Sequence, residues 1–322
     1  MKIVYAGTPE VAVEPLRHLM GVDGLEIVAV LTREDAPVGR RRTLSPSPVA
    51  RAAEELGLPV LKANRVGEDV VQRLRATGAR AGAIVAYGAL LKRPALEALP
   101  LGWVNLHFSL LPRWRGAAPV QHALIAGDDR LGASAFVLDE GLDTGALLAT
   151  MPVEVRDDDV AGTLLARMAV EAAPLLAGSL LRLEAGQTPQ PQVGEATSAP
   201  KLTTRHSRID WSVPAEVIAR LVRGTTPEPG PWTELDGQRF KIVDRVLEDP
   251  ATTGLAPGAV ELDGGRVLVG TGTHALELLR VQPAGKQPMA AADWARGRLG
   301  RSGRHGSPEQ TRDDETTRTV FA

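Results

Sequence analysis

The chain predicts an α/β fold: a Rossmann-like, mostly parallel sheet in an N-terminal domain, followed by a small C-terminal β-barrel of OB-like type. Three observations predict it. Short apolar runs alternate with helical patterns through the first half, at the spacing of βαβ units. A stretch rich in Pro, Gln, Thr and Ser, residues 187–200, then interrupts the pattern. Beyond it, short strand-like runs are joined by tight turns at Asp236-Gly237 and Asp263-Gly264-Gly265. The expected division is a first domain over 1–188, a linker over 189–208, the barrel over 209–302 and a disordered tail over 303–322, where apolar residues become scarce.

Each element has its own signal. Lys2 to Ala6 is a short apolar strand, broken by Gly7-Thr8-Pro9, and Pro9 suits a helix start, so Glu10 to Met20 is expected as helix. Glu26 to Leu31 is a second buried strand, and Thr32 to Ser47 is expected as a long loop before a helix over Pro48 to Leu56. Val60-Leu61 is a brief strand, Glu68 to Ala76 a helix, Ala81 to Val85 a strand, Pro94 to Leu99 a short helix and Trp103 to His107 a strand. Ala133 to Leu138 and Leu147 to Val155 read as a hairpin, and Val160 to Leu183 as one long helix. In the second domain Ser212 is placed to cap a helix over Pro214 to Arg223 that stops at Gly224.

Bulk properties narrow the chemistry. The 322 residues suffice for two cores, and 43% hydrophobic and 24% charged residues are ordinary for a globular protein. A net charge of −2 means that any nucleic-acid contact must come from local patches. The absence of cysteine removes disulfides, thiolate catalysis and Cys-ligated zinc together. No H-E-x-x-H or comparable ligand cluster is present, so no metal is expected. The N-terminus enters a strand at once and no apolar run is long enough to span a bilayer, so a cytoplasmic protein without a membrane partner is expected.

The most informative stretch is Val104-Asn105-Leu106-His107-Phe108-Ser109-Leu110-Leu111-Pro112. Asn105 and His107 are two apart on a strand and so share a face, while Val104, Leu106 and Phe108 point the other way. Two polar side chains at the carboxyl end of a buried parallel strand need a reason, and that edge is where ligands bind in open α/β sheets. A mutually satisfied structural pair is the competing reading. Asp143, in the turn Asp139-Glu140-Gly141-Leu142-Asp143-Thr144-Gly145, offers a carboxylate. An amide, an imidazole and a carboxylate suit direct acyl transfer to an amine. Ser109, Leu110, Leu111 and Pro112 leave the strand in a polar turn whose main chain suits a flat heterocycle; Ala86, Tyr87, Gly88 and Leu90 end the preceding strand and form the other wall. Gly7-Thr8-Pro9 is not a dinucleotide fingerprint, which disfavours a nicotinamide dehydrogenase. Arg40, Arg41 and Arg42 are either a solvated loop or a set of phosphate and base contacts.

Taken together, VYAGTPEV, IVAYGALL, VNLHFSLLPRWRGAAPV and DEGLDTGALL resemble the formyltransferase family that uses 10-formyltetrahydrofolate. The likeness extends through PVGRRRTLSPSPV, RIDWS and VQPAGKQPM to the branch of that family that acts on initiator methionyl-tRNA. It covers nearly the whole chain apart from the tail. The resemblance implies formyl transfer from 10-formyltetrahydrofolate to the α-amino group of the methionine, for translation initiation. Asn105, His107 and Asp143 would be catalytic, and the turns at 86–90 and 109–112 would hold folate. Arg40 to Arg42 would meet tRNA, without a metal and as a monomer. The rivals are a sugar-nucleotide or glycinamide ribonucleotide formyltransferase, a formyltetrahydrofolate hydrolase, and a non-catalytic tRNA-binding protein.

Overall fold

Strand formation in the first half follows the apolar runs. The computed structural model describes residues 1–39, 42–299 and 319–322. Arg40, Arg41 and residues 303–318 of the expected tail lie outside the described residues. The strands are β1 (Lys2–Gly7), β2 (Glu26–Thr32), β3 (Ala36–Val38), β4 (Thr43–Ser45), β5 (Val60–Lys62), β6 (Ala81–Val85), β7 (Trp103–His107), β8 (Arg130–Val137) and β9 (Leu147–Glu154). Seven of them form one sheet in the order β5-β2-β1-β6-β7-β8-β9. The first five strands of that order run parallel, and β8 and β9 close the edge as an antiparallel hairpin. The carboxyl ends of β1, β6 and β7 therefore lie side by side. Thr8 confirms the adjacency, donating its hydroxyl to the Tyr87 carbonyl at 2.7 Å.

The helices in the same stretch of chain are α1 (Val13–Met20), α2 (Pro48–Glu55), α3 (Glu68–Ala76), α4 (Arg93–Leu96), α5 (Pro119–Ala126), α6 (Ala161–Glu171) and α7 (Ala173–Glu184). On one face Val4, Leu31, Ile84 and Trp103 from the strands pack with Val70 and Leu74 of α3. Ser47 starts α2, accepting the Ala50 N–H at 3.0 Å, with Pro48 at the first helical position. In α3, Glu68 and Asp69 occupy the first turn and Arg73 and Arg75 the last, complementing the helix dipole.

Three elements differ from expectation. The segment 32–47 is not a plain loop: β3 and β4 pair antiparallel within it, Ala36 against Ser45 and Val38 against Thr43. The single helix expected over 160–183 is two helices, bent by 40°. Pro174 lies in the first turn of α7, where its missing N–H and its ring end the hydrogen-bond ladder of α6. Ser212 does not cap the next helix, α8 (Ala215–Thr225); its N–H and hydroxyl both donate to Asp210, and Thr273 accepts the Ala215 N–H at 3.1 Å instead.

The chain divides into two compact units, Met1–Pro119 with Arg130–Val155 and Leu165–Pro200, and Val120–Asp129 with Arg156–Leu164 and Lys201–Ala322. The first therefore continues to Pro200, past the expected boundary at 188. The second contains α8, α9 (Ala291–Leu299) and eight further strands: β10 (Trp232–Leu235), β11 (Gln238–Ile242), β12 (Val246–Thr253), β13 (Val260–Asp263), β14 (Arg266–Val269), β15 (His274–Leu278), β16 (Arg280–Gln282) and β17 (Met289–Ala290). They form two four-stranded sheets, β10-β11-β16-β17 and β12-β15-β14-β13. Phe240, Ile242 and Val281 from the first share one core with Val267, Val269, Leu276 and Leu278 from the second. Phe321, 3% exposed, is part of that core, stacked between Trp211 and Trp294. Residues 319–322 are thus built into the fold, whereas the whole of 303–322 was expected as a loose tail. No single helix among the described residues is long and apolar enough to cross a membrane.

Candidate active site

The site grows out of the end of β7. Asn105 pairs with Phe136 of β8 and His107 with Ser134, so the two polar side chains stand on one face with buried Leu106 opposite. Asn105 is half-buried. His107 is 6% exposed and meets the Phe136 ring edge-on at 6.5 Å. Its Nε2 lies 2.9 Å from the Trp114 carbonyl oxygen. A carbonyl only accepts, so Nε2 carries the proton and Nδ1 is the nitrogen left for chemistry.

Nδ1 faces Asp143, 3.7 Å from Oδ2. That is too long for a direct hydrogen bond and close enough for a strong charge interaction. Burial pushes the His107 pKa below its ordinary value, against the opposing pull of the Asp143 carboxylate and the Trp114 carbonyl. The ring is therefore neutral at pH 7. The ring orientation comes from the Trp114 carbonyl.

Asp143 is held in its own right. It sits in the left-handed region at φ 52°, and its Oδ2 accepts the Gly116 N–H at 2.7 Å. Two glycines make this turn possible. A Cβ on Gly145 would lie 1.8 Å from the Val137 carbonyl oxygen, and one on Gly116, at φ 127°, would lie 2.6 Å from that of Ala199.

The exit turn after β7 is built from inside. Ser109 is 1% exposed and donates its hydroxyl to the Arg113 carbonyl at 2.7 Å. The Ser134 hydroxyl donates to the Ser109 carbonyl and accepts the Leu111 N–H. Leu111 and Pro112 are buried as well, and Leu110 is half-buried. The Ser109 hydroxyl thus donates within the turn itself. On the other wall Ala86 at φ 49° and Gly88 at φ 81° are exposed, and Leu90 is 73% exposed. Tyr87 points inward. Its hydroxyl donates to the Ala63 carbonyl at 2.7 Å, and burial raises its pKa to about 12. The Gly88 carbonyl accepts from Arg33 at 2.5 Å, which ties this wall to Asn64 through the same guanidinium. Arg42, exposed at φ 50°, ends the turn between β3 and β4.

Sequence reasoning missed the segment 190–199. Thr197 accepts the Trp114 N–H on its hydroxyl at 2.8 Å, and its carbonyl accepts the Arg115 N–H at 2.8 Å. Gln192 links the Arg115 guanidinium to the Asp143 turn. Its Pro- and Gln-rich composition gave a linker; the only hint of more was the run of side chains able to bond to main chain. Ser134 was hidden within an apolar strand.

The geometry can be set beside known proteins. Residues 1–178 match the formyl transferase family and residues 201–299 the formyl transferase C-terminal domain. Methionyl-tRNA formyltransferase of Paenarthrobacter aurescens (strain TC1) is 54% identical over 298 residues, covering 92% of this chain and 97% of its own. The protein of that name from Arthrobacter sp. (strain FB24) is 54% identical over 304 residues, with 94% and 99% covered. Among solved structures, HypX from Aquifex aeolicus in complex with tetrahydrofolic acid gives a TM-score of 0.63 at 14% identity, covering 100% of this chain and 50% of that one. The chain thus spans half of HypX, and at this identity the likeness is one of fold. With both domains matched and relatives more than half identical across nearly their full lengths, the chain belongs to the formyltransferase family, on its methionyl-tRNA formyltransferase branch.

Proposed function

We propose that this chain transfers the formyl group of 10-formyltetrahydrofolate to the α-amino group of methionine on initiator methionyl-tRNA. The observation that carries the reading is the His107–Asp143 pair, 3.7 Å apart and nearly closed to solvent, with His107 on the strand that also presents the Asn105 amide. Amine attack on the formyl carbon creates an oxyanion and an acidic ammonium at once. The Asn105 amide donates to the oxyanion. Neutral His107 takes the ammonium proton on Nδ1, and Asp143 balances the imidazolium that results. As the bond from carbon to N10 of the folate breaks, that proton passes to N10, so the formyl group leaves on the amine and nothing stays bound to the chain. Low exposure strengthens each of these charge interactions.

The folate ring is assigned to the main-chain groups of residues 86–90 and to the Leu110 side of the exit turn. Of the residues proposed for folate, Tyr87, Ser109, Leu111 and Pro112 contribute backbone or shape, their side chains being turned inward. Arg40, Arg41 and Arg42, with the second unit, are assigned to tRNA. The branch of the family supports tRNA over a nucleotide sugar as acceptor. The deciding experiment incubates the protein with 10-formyltetrahydrofolate and charged initiator tRNA, a nucleotide-linked amino sugar, or water alone. Formylmethionyl-tRNA as the sole product supports the reading; turnover only with the sugar or with water overturns it.

A further inference from the structure

One side chain of the segment 190–199 bonds to both turns that hold the His107–Asp143 pair. The Gln192 amide nitrogen donates to the Asp143 carbonyl at 2.8 Å and to the Gly145 carbonyl at 2.9 Å. Its oxygen accepts from Arg115 Nη2 at 2.6 Å and from Nε at 3.2 Å. Both amide hydrogens and both oxygen lone pairs are thereby used. Arg115 stands between Trp114, whose carbonyl fixes His107 Nε2, and Gly116, whose N–H fixes Asp143 Oδ2. The donor side of Gln192 grips the carbonyl of Asp143, whose left-handed backbone at φ 52° is a conformation that a non-glycine residue holds only when its surroundings impose it.

We propose that Gln192 is a positioning residue for formyl transfer, clamping the Asp143 turn to the Trp114–Gly116 turn so that the carboxylate stays opposite His107 Nδ1. The catalytic consequence rests on the function proposed above; the clamp itself does not. Without its donors, the Asp143 backbone is free to relax and the carboxylate withdraws from the ring. A displacement of about 1 Å at a reacting pair costs roughly a hundredfold in rate.

The test compares Gln192→Met, which keeps the shape and adds no charge, with Gln192→Ala, which leaves a half-exposed gap that water can fill. In both, kcat is expected to fall roughly a hundredfold, with KM for folate and tRNA within about twofold of wild type. The thermal midpoint should stay close to wild type. The His107 ring, followed by NMR on the protein without substrates, should titrate at lower pH than in wild type, because the carboxylate that holds its pKa up has moved away. A variant with wild-type kcat and an unmoved His107 titration overturns the proposal. So does loss of fold in both variants, which would make Gln192 a structural residue. A wild-type protein silent towards methionyl-tRNA sinks the function proposed above, yet the titration still decides the role of Gln192.

Discussion

At neutral pH the His107 ring carries one proton, on Nε2, and the Trp114 carbonyl keeps it there. In the proposed mechanism only the neutral ring accepts the amine proton, so kcat/KM should fall as pH drops through the His107 pKa, which burial holds below the ordinary histidine value. Asp143→Asn removes the charge that raises this pKa. The acid limb of the pH–rate profile should therefore move to lower pH, while the plateau falls by about 10² or more because the imidazolium loses its counter-charge. A limb moving to higher pH would refute the assignment of Nδ1 as base. Asn105→Ala should lower kcat by about 10²–10³ with little change in the KM for folate, the pattern of a donor that acts only on the developing oxyanion. Steady-state kinetics over a range of folate concentrations measures this. That Asn105 and His107 share a face was legible in the sequence, since strand alternation is strictly local. Which ring nitrogen is engaged was not, because Trp114 reaches the ring only through a turn that the sequence leaves undetermined.

Elements matter here through their ends. The β8–β9 hairpin delivers Asp143 because Gly145 allows the chain to close to within contact of the Val137 carbonyl. Gly145→Ala should open this hairpin, destabilise the protein by about 1–3 kcal/mol and lower activity by more than the stability loss explains. Thermal melts and kcat on the same preparation separate the two. The hairpin itself was readable from two strand-like runs around a Gly-rich turn. The bend between α6 and α7 was hidden, since an apolar period of 3.6 runs through Pro174 without a break. The pairing of β3 with β4 escaped notice because three-residue strands are too short to show alternation.

For the whole molecule, the expectations concern the ends of the chain and its basic loop. Phe321 stacks with Trp211 and Trp294 and packs on Phe240 at 4.9 Å, while Ala322 exchanges backbone hydrogen bonds with Glu234. Phe321→Ala should destabilise the second unit by about 3–5 kcal/mol, as judged by denaturant unfolding followed at its tryptophans. Replacing Arg40, Arg41 and Arg42 with alanine should weaken tRNA use and flatten the salt dependence of tRNA affinity, leaving folate KM unchanged. Unaltered tRNA kinetics in that variant would refute the loop assignment.

By itself the sequence determined the alternation of strands and helices, the two-domain plan, the shared face of residues 105 and 107, and the turn that carries residue 143. All of these are written in spacings of a few residues, where backbone geometry leaves little choice. Tertiary structure decided what the spacings cannot carry: the 3.7 Å approach of Asp143 to His107, the withdrawal of the Ser109 hydroxyl into its turn, and the bracing of both turns by Gln192 and Thr197. Gln192 meets Asp143 across 49 residues and Arg115 across 77. Polar contacts over such separations depend on how the whole sheet is packed, and no local pattern of side chains records them.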